Sequence, residues 1–326
     1  MEAIRWGILG TGNIASVFAK GLTFLSDAQL VAVGSRAAES AQRFAERFDV
    51  PRAHDSYEAL ANDPDVDIVY VSTPHSLHYD NTMLCLRAGK AVLCEKPFAI
   101  NAREAAEMIA TARERKLFLM EAMWTRFLPS MVRMRELLAE RVIGDLRMLQ
   151  ADFGFRANFN PQSRLFDPAL GGGGLMDVGV YCVSLASQLF GMPDRMVGLA
   201  ETGTTGVDEQ GAAILGYPSG QLAVLSTAIR TTTPHEATLM GTEGLIRLPS
   251  SWWKGTGLTV MRNDQPPETI NLQFEGNGYN YEAAEAGRCL RAGKLESEIM
   301  PLDETLAIMQ TLDQIRVQWG VRYPGE

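Results

Sequence analysis

The sequence predicts two domains. The first is an α/β domain with a doubly wound parallel sheet over residues 1–122. The second, over 123–326, is an α+β domain built on a large, mostly antiparallel sheet. Three observations carry this reading. Short apolar runs alternate with helix-period stretches from Ala3 to Met120. The first run empties into Gly10-Thr11-Gly12-Asn13-Ile14-Ala15, a G-x-G-x-x-A turn placed to open a helix. After Arg126 the alternation stops, and strand-like runs follow at short intervals, several of them separated by Gly- and Pro-bearing turns.

Residues 3–9 form the first strand, and Ile14, Val17, Phe18, Gly21 and Leu22 share one face of the helix after it. Strand, glycine turn and helix is the order a dinucleotide needs. Gly10 makes the tight turn, Gly12 lets the backbone approach a pyrophosphate, and Ala15 keeps helix and strand close. Thr11, Asn13 and Ile14 complete the cofactor-binding loop. The second strand, 30–34, ends in Ser35-Arg36, where an NAD-binding domain usually carries an acid for the ribose 2′-hydroxyl. A hydroxyl and a guanidinium suit a 2′-phosphate instead, so we expect NADP(H) over NAD(H). An exposed arginine opening the next helix is the plainer alternative.

Helices are expected over 38–48 and 55–61, and a buried strand over 67–72. That strand stops at Thr73-Pro74-His75, which with His78 lies at the carboxyl edge of the sheet and can face the cofactor; His78 equally suits a helix start. A helix over 79–88 leads to Ala91-Val92-Leu93-Cys94-Glu95-Lys96-Pro97. Pro97 ends this buried strand and admits a cis peptide, and Lys96 is held where ligands sit in open α/β sheets. Glu95 either orients Lys96 or pairs along the sheet edge. A helix over 102–115 and a strand over 117–120 complete an expected six strands, five of them located.

The second domain starts with a helix over 129–140 and a strand over 146–155, then runs irregularly to Leu170. Gly171-Gly172-Gly173-Gly174 opens a helix over 175–185. Strands follow at 196–203, 212–217, 221–229, 236–240, 245–248, 258–260 and 269–272, and helices at 281–291 and 303–319.

The net charge of -9 argues against a general nucleic-acid surface. No run of about 18 apolar residues stands out as a membrane span, and residues 1–6 lack the pattern of a secretory signal. Cys85, Cys94, Cys182 and Cys289 are scattered, which fits free thiols in a reducing cytoplasm and gives no metal-ligand pattern.

The ordered set Gly10-Thr11-Gly12-Asn13-Ile14-Ala15, Ser72-Thr73-Pro74, Glu95-Lys96-Pro97, Gly172-Gly173-Gly174 and Asp177-Val178-Gly179 resembles the glucose–fructose oxidoreductase / inositol dehydrogenase / MocA family. Residues 121–127 and Tyr181 resemble its branch of dimeric dihydrodiol dehydrogenases and NADP-dependent D-xylose 1-dehydrogenases. The resemblance implies an N-terminal Rossmann domain, a C-terminal sheet that forms a homodimer or higher homo-oligomer, and a catalytic lysine at Lys96. Where many members carry a histidine four residues after the aspartate, this chain has Tyr181, so the branch implies a tyrosine acid/base.

Hydride transfer at a hydroxyl or carbonyl carbon moves a proton as well. A tyrosine near pKa 10 is a poor base at neutral pH, and an adjacent ammonium lowers that value. The expectation is therefore Tyr181 as acid/base with Lys96 as its electrostatic partner, acting on a sugar, cyclitol or trans-dihydrodiol. A buried aromatic on a helix is the bland account of Tyr181. Asp177 can bind a sugar hydroxyl or cap its helix, Trp124 and Phe155 can wall a ring, and Arg126 and Arg156 can bind polar groups. His54 and His235 read as surface residues. A redox-neutral lyase or glycosidase and a non-enzymatic NADP(H) sensor are the competing functions.

Overall fold

The computed structural model describes residues 3–326. Strands β1 (Ile4–Leu9), β2 (Ala28–Gly34), β3 (Arg52–His54), β4 (Ile68–Val71), β5 (Ala91–Glu95) and β6 (Leu119–Ala122) alternate with helices α1 (Asn13–Leu22), α2 (Ala38–Phe48), α3 (Tyr57–Ala61), α4 (His78–Arg87) and α5 (Ala102–Arg115). The strands form one parallel sheet in the order β3-β2-β1-β4-β5-β6. The order reverses between β1 and β4, the switch point at which doubly wound sheets bind ligands. Every residue of β4 and β5 is buried, as continuous apolar runs between two helical layers must be. The strand left unlocated is β3. Its three residues, Arg-Ala-His, carry no periodic signal and pair only with β2 at the sheet edge.

Next come α6 (Pro129–Ala139), β7 (Leu146–Gly154), a π-helical turn at Leu175–Gly179 and α7 (Val180–Phe190). Strands β8 (Arg195–Thr202), β9 (Asp208–Gly216), β10 (Leu222–Ala228), β11 (Ala237–Gly241), β12 (Gly244–Leu248), β13 (Gly257–Arg262) and β14 (Glu268–Asn271) follow. With β7 they form an eight-stranded sheet in the order β14-β13-β12-β11-β7-β10-β9-β8. Only β7 and β10 pair in parallel, so the sheet is mostly antiparallel. The expected single helix over 175–185 is two pieces. Gly179, the last residue of the π-turn, faces Thr227 of β10; a Cβ there would lie in ordinary contact with Thr227 at 3.4 Å and 3.0 Å from Leu175 Cδ1.

Helices α8 (Tyr279–Arg291) and α9 (Leu302–Trp319) close the fold. Packing divides the chain into the part up to Phe127 with Glu275–Leu306, and Leu128–Phe274 with Ala307–Glu326. A cut after residue 122 therefore misses that 275–306 returns to the first unit. There Asn277 Nδ2 donates to the Val17 carbonyl at 2.7 Å, Arg291 pairs with Asp27 at 2.6 Å, and Tyr279 stacks on Trp124. One apolar stretch does reach membrane-span length: Pro168–Phe190, of which 89% of the hydrophobic window is buried in the protein. An apolar run of that length is thus present, and it belongs to the core of the second unit.

Candidate active site

In the first unit, the ends of β1, β4 and β5 bring three sequence motifs to one sheet edge. Gly10 takes φ +108, and a Cβ there would lie 3.1 Å from Ser72 Oγ and 3.2 Å from its carbonyl, so both conformation and space demand glycine. Gly12 is exposed at the N-cap of α1, and a Cβ on it would meet no atom within 4 Å. The first turn of α1 has no side-chain cap and no acidic residue. Open backbone, unpaired amides and an uncompensated positive helix end fit a pyrophosphate, with Thr11, Asn13 and Ile14 around it. At the tip of β2, Ser35 is nearly buried, its Oγ accepting from the Ala37 amide at 3.3 Å, and Arg36 is exposed.

At the end of β4, Asn81 Nδ2 donates to Thr73 Oγ1 at 3.0 Å, and Pro74 leads into His75, which is 8% exposed. His78 is a correction. It is 1% exposed, with Nδ1 2.7 Å from the Pro97 carbonyl and Nε2 2.9 Å from the Thr73 carbonyl. Burial pushes its pKa down to about 4, so the ring is neutral at pH 7 and donates to one of the two carbonyls. It opens α4 and ties the β4 loop to the β5 loop instead of facing a ligand.

Lys96 stands half-buried just past β5, its bond to Pro97 cis. The Glu95 carboxylate accepts from the Tyr70 hydroxyl and, at 3.1 Å, from the Lys96 amide, so Glu95 orients the lysine's backbone. Behind it, Glu282 of α8 is fully buried, and neither of its carboxyl oxygens has a hydrogen-bond partner. Burial and the neighbouring Glu95 raise its pKa well above the usual carboxyl range. Sequence gave no sign of Glu282, because nothing local marks a glutamate on a late helix as lying behind β5.

Arg126 is also corrected. It is 2% exposed, pairs with Glu304 at 2.7 Å and donates to the Ile299 carbonyl at 3.2 Å, which commits its guanidinium to the interior of the unit. Trp124, 6% exposed, has one ring face stacked on Tyr279 at 4.6 Å.

In the second unit, Tyr181 is the second residue of α7 and is 6% exposed, its ring 5.5 Å from that of Phe153. Phe153 stacks on Trp253 at 3.4 Å, and His235 meets both edge-on. His235, expected at the surface, is half-buried and held: its amide donates to Asp152 at 2.6 Å and its ring contacts the Gly154 carbonyl. His54, in the first unit, is likewise tied down, 2.9 Å from the buried carboxylate of Asp63. Asp177 is 4% exposed and accepts from Arg164 at 2.6 Å; the N-cap position belongs to Gly174. Phe155 is half-buried just beyond β7, and Arg156 is exposed in a bridge to Arg230. The aromatic group of Phe153, Trp253 and His235 beside Tyr181 escaped the sequence reading. Phe153 lies about 80 to 100 residues before His235 and Trp253 and meets them only in the folded unit.

The chain matches two family models. Residues 4–123 match the oxidoreductase family with an NAD-binding Rossmann fold, and residues 131–247 match the GFO/IDH/MocA C-terminal domain. It is 40% identical over 331 residues to the trans-1,2-dihydrobenzene-1,2-diol dehydrogenase of Xenopus tropicalis, covering 99% of this chain and 100% of the relative. The human protein of the same name is 40% identical over 333 residues, with 99% of each chain covered. Among solved structures, a 3-ketoreductase from Actinomadura kijaniata in complex with NADP and TDP-benzene superposes with TM-score 0.87 at 27% identity, covering 98% of each chain. An aldose–aldose oxidoreductase from Caulobacter crescentus superposes with TM-score 0.89 at 25% identity, covering 97% of each. With a Rossmann sheet whose glycine turn and lysine share one edge, and with both family models matched in order, this chain belongs to the GFO/IDH/MocA family of oxidoreductases and is an NAD(P)-dependent dehydrogenase or reductase of CH–OH groups.

Proposed function

We propose that the chain moves a hydride between NADP(H) and a hydroxyl or carbonyl carbon of a sugar, cyclitol or trans-dihydrodiol, with Tyr181 as acid/base assisted by Lys96. The observation that carries this is Lys96 at the carboxyl edge of β5, on the same edge as the glycine turn, in a chain 40% identical along its whole length to named dihydrodiol dehydrogenases. When bound, the nicotinamide cofactor supplies or accepts the hydride. Gly10, Gly12 and the first turn of α1 hold its phosphates, Ser35 and Arg36 select the 2′-phosphate, and Thr73, Pro74 and His75 border the reactive end. The Tyr181 hydroxyl gives or takes the proton, and the Lys96 ammonium favours the tyrosinate and binds the substrate oxygen. Asp177, Phe155 and Trp124 bound the substrate. A solved ketoreductase with NADP, and its variants with a lysine changed to alanine and a tyrosine to phenylalanine, support the choice of cofactor and of residue types.

The test is a screen of aldoses, cyclitols and trans-dihydrodiols followed by NADPH absorbance, repeated with Tyr181→Phe. Turnover falls about 10²-fold or more in that variant while NADPH affinity holds; a near-normal rate removes Tyr181 from the role. A redox-neutral turnover is the second reading, favoured by the neighbour named an aldose–aldose oxidoreductase. It gives product with no net change in NADPH. We further propose a homodimer or higher oligomer through the C-terminal sheet and, from four buried free thiols, a cytoplasmic location.

A further inference from the structure

Four consecutive glycines, Gly171 to Gly174, lead into the π-turn and helix that carry Asp177 and Tyr181. Such a run has the largest conformational freedom a chain can have, and each residue fixed costs about 1–2 kcal/mol. A proton-transfer group at the end of it would be poorly placed unless something outside the loop held it. Three segments far apart in sequence do so, two of them at the Gly174–Leu175 peptide and one at the Gly172–Gly173 peptide. Asp208 Oδ2, at the start of β9, accepts from the Leu175 amide at 2.6 Å. Thr227 Oγ1, in β10, donates to the Gly174 carbonyl at 2.9 Å. Tyr323 Oη, beyond α9, donates to the Gly172 carbonyl at 2.6 Å. Gly173 sits between them at φ +114, where a Cβ would strike Asp208 Oδ1.

Tyr323 is itself held. Arg316 of α9, 4% exposed, grips Glu326 through two bonds of 2.7 and 2.9 Å. Glu326 Oε2 accepts from the Tyr323 amide at 3.0 Å, and the Arg316 guanidinium lies 4.8 Å from the Tyr323 ring centre. A bidentate pair of this kind, with its guanidinium buried, is geometrically exacting. Burial keeps the Tyr323 hydroxyl protonated, as a donor to Gly172 must be.

We propose that residues 316–326 form a clasp, with Tyr323 as a positioning residue that fixes the glycine loop and through it the proton-transfer geometry of Tyr181. This rests on the reading of Tyr181 as acid/base. Tyr323→Phe removes one hydroxyl and Glu326→Gln weakens the grip of Arg316 without removing Tyr323, so folding failure in one leaves the other. Each is assayed in the full chain beside Tyr181→Phe, reading kcat, the solvent deuterium isotope effect on kcat, NADPH affinity and thermal unfolding. The clasp predicts a fall in kcat of about 5- to 20-fold, a larger isotope effect, and unchanged NADPH affinity. If Tyr181→Phe is inactive but both clasp variants keep kcat and isotope effect, whatever their melting temperature, the clasp is overturned and the Tyr181 reading stands. If Tyr181→Phe is near normal, both fall together.

Discussion

At the scale of single residues, charge and burial make separable predictions. Arg36 is exposed at the tip of β2 with no acid at the position that would select NAD. Arg36→Ala should raise the dissociation constant of NADPH about 10- to 100-fold, the size of a charge-assisted bond, and leave that of NADH within about threefold. Equal losses for both cofactors would refute the assignment. Glu121 and Asp208 are fully buried, and burial pushes each up to about 7. Both hold their protons more tightly when folded than when unfolded. Their stabilising contribution is whole below about pH 4 and is lost as pH rises through 7, at about 3–4 kcal/mol each. The urea midpoint should fall from pH 5 to pH 8, and Glu121→Gln should flatten that slope. A slope unchanged by the substitution would show that Glu121 does not titrate in this window. None of this was legible in sequence. Asp208 falls between two expected strands, and nothing local marks it as buried.

The β1–turn–α1 element shows what a motif does and does not encode. Both glycines of the turn were legible, and with opposite reasons. Gly10 is bound by conformation and by Ser72, whereas Gly12 is bound by nothing in the protein. Gly10→Ala should therefore cost about 1–3 kcal/mol of stability by urea unfolding. Gly12→Val should leave the urea midpoint nearly unmoved and weaken NADPH binding in calorimetry. The reverse pattern would place the phosphates elsewhere. Strands 30–34, 67–72 and 91–95 were legible because burial on both faces forces continuous apolar runs. Strand β3 was not, since an edge strand of three residues needs only β2 to define it. The π-turn was equally hidden, because no local pattern marks it and it packs on β10, a strand that comes later in the chain.

For the whole molecule, the open face of the C-terminal sheet gives the remaining prediction. Val197 and Ile214 pair across β8 and β9, and with Leu199 they are 63%, 44% and 84% exposed. Apolar side chains left side by side in water mark a surface that a second copy can cover. Where the proposed oligomer forms through this face, Leu199→Asp shifts it to monomer in sedimentation velocity with thermal unfolding little changed; an unaltered assembly would move the interface off this face. The sequence by itself determined the parallel sheet, the glycine turn and the lysine at the end of β5, because periodicity and backbone conformation are local and are written in adjacent residues; the family came from the resemblance of an ordered set of motifs. Tertiary structure alone decided which side chains are free to act. It withdrew Arg126 into an ion pair and His78 into a brace between loops. It returned α8 to the first unit with a buried Glu282, and it closed Asp208, Thr227 and Tyr323 on the glycine loop. Those outcomes depend on which distant segments exclude water from a polar group, and no local pattern carries that information.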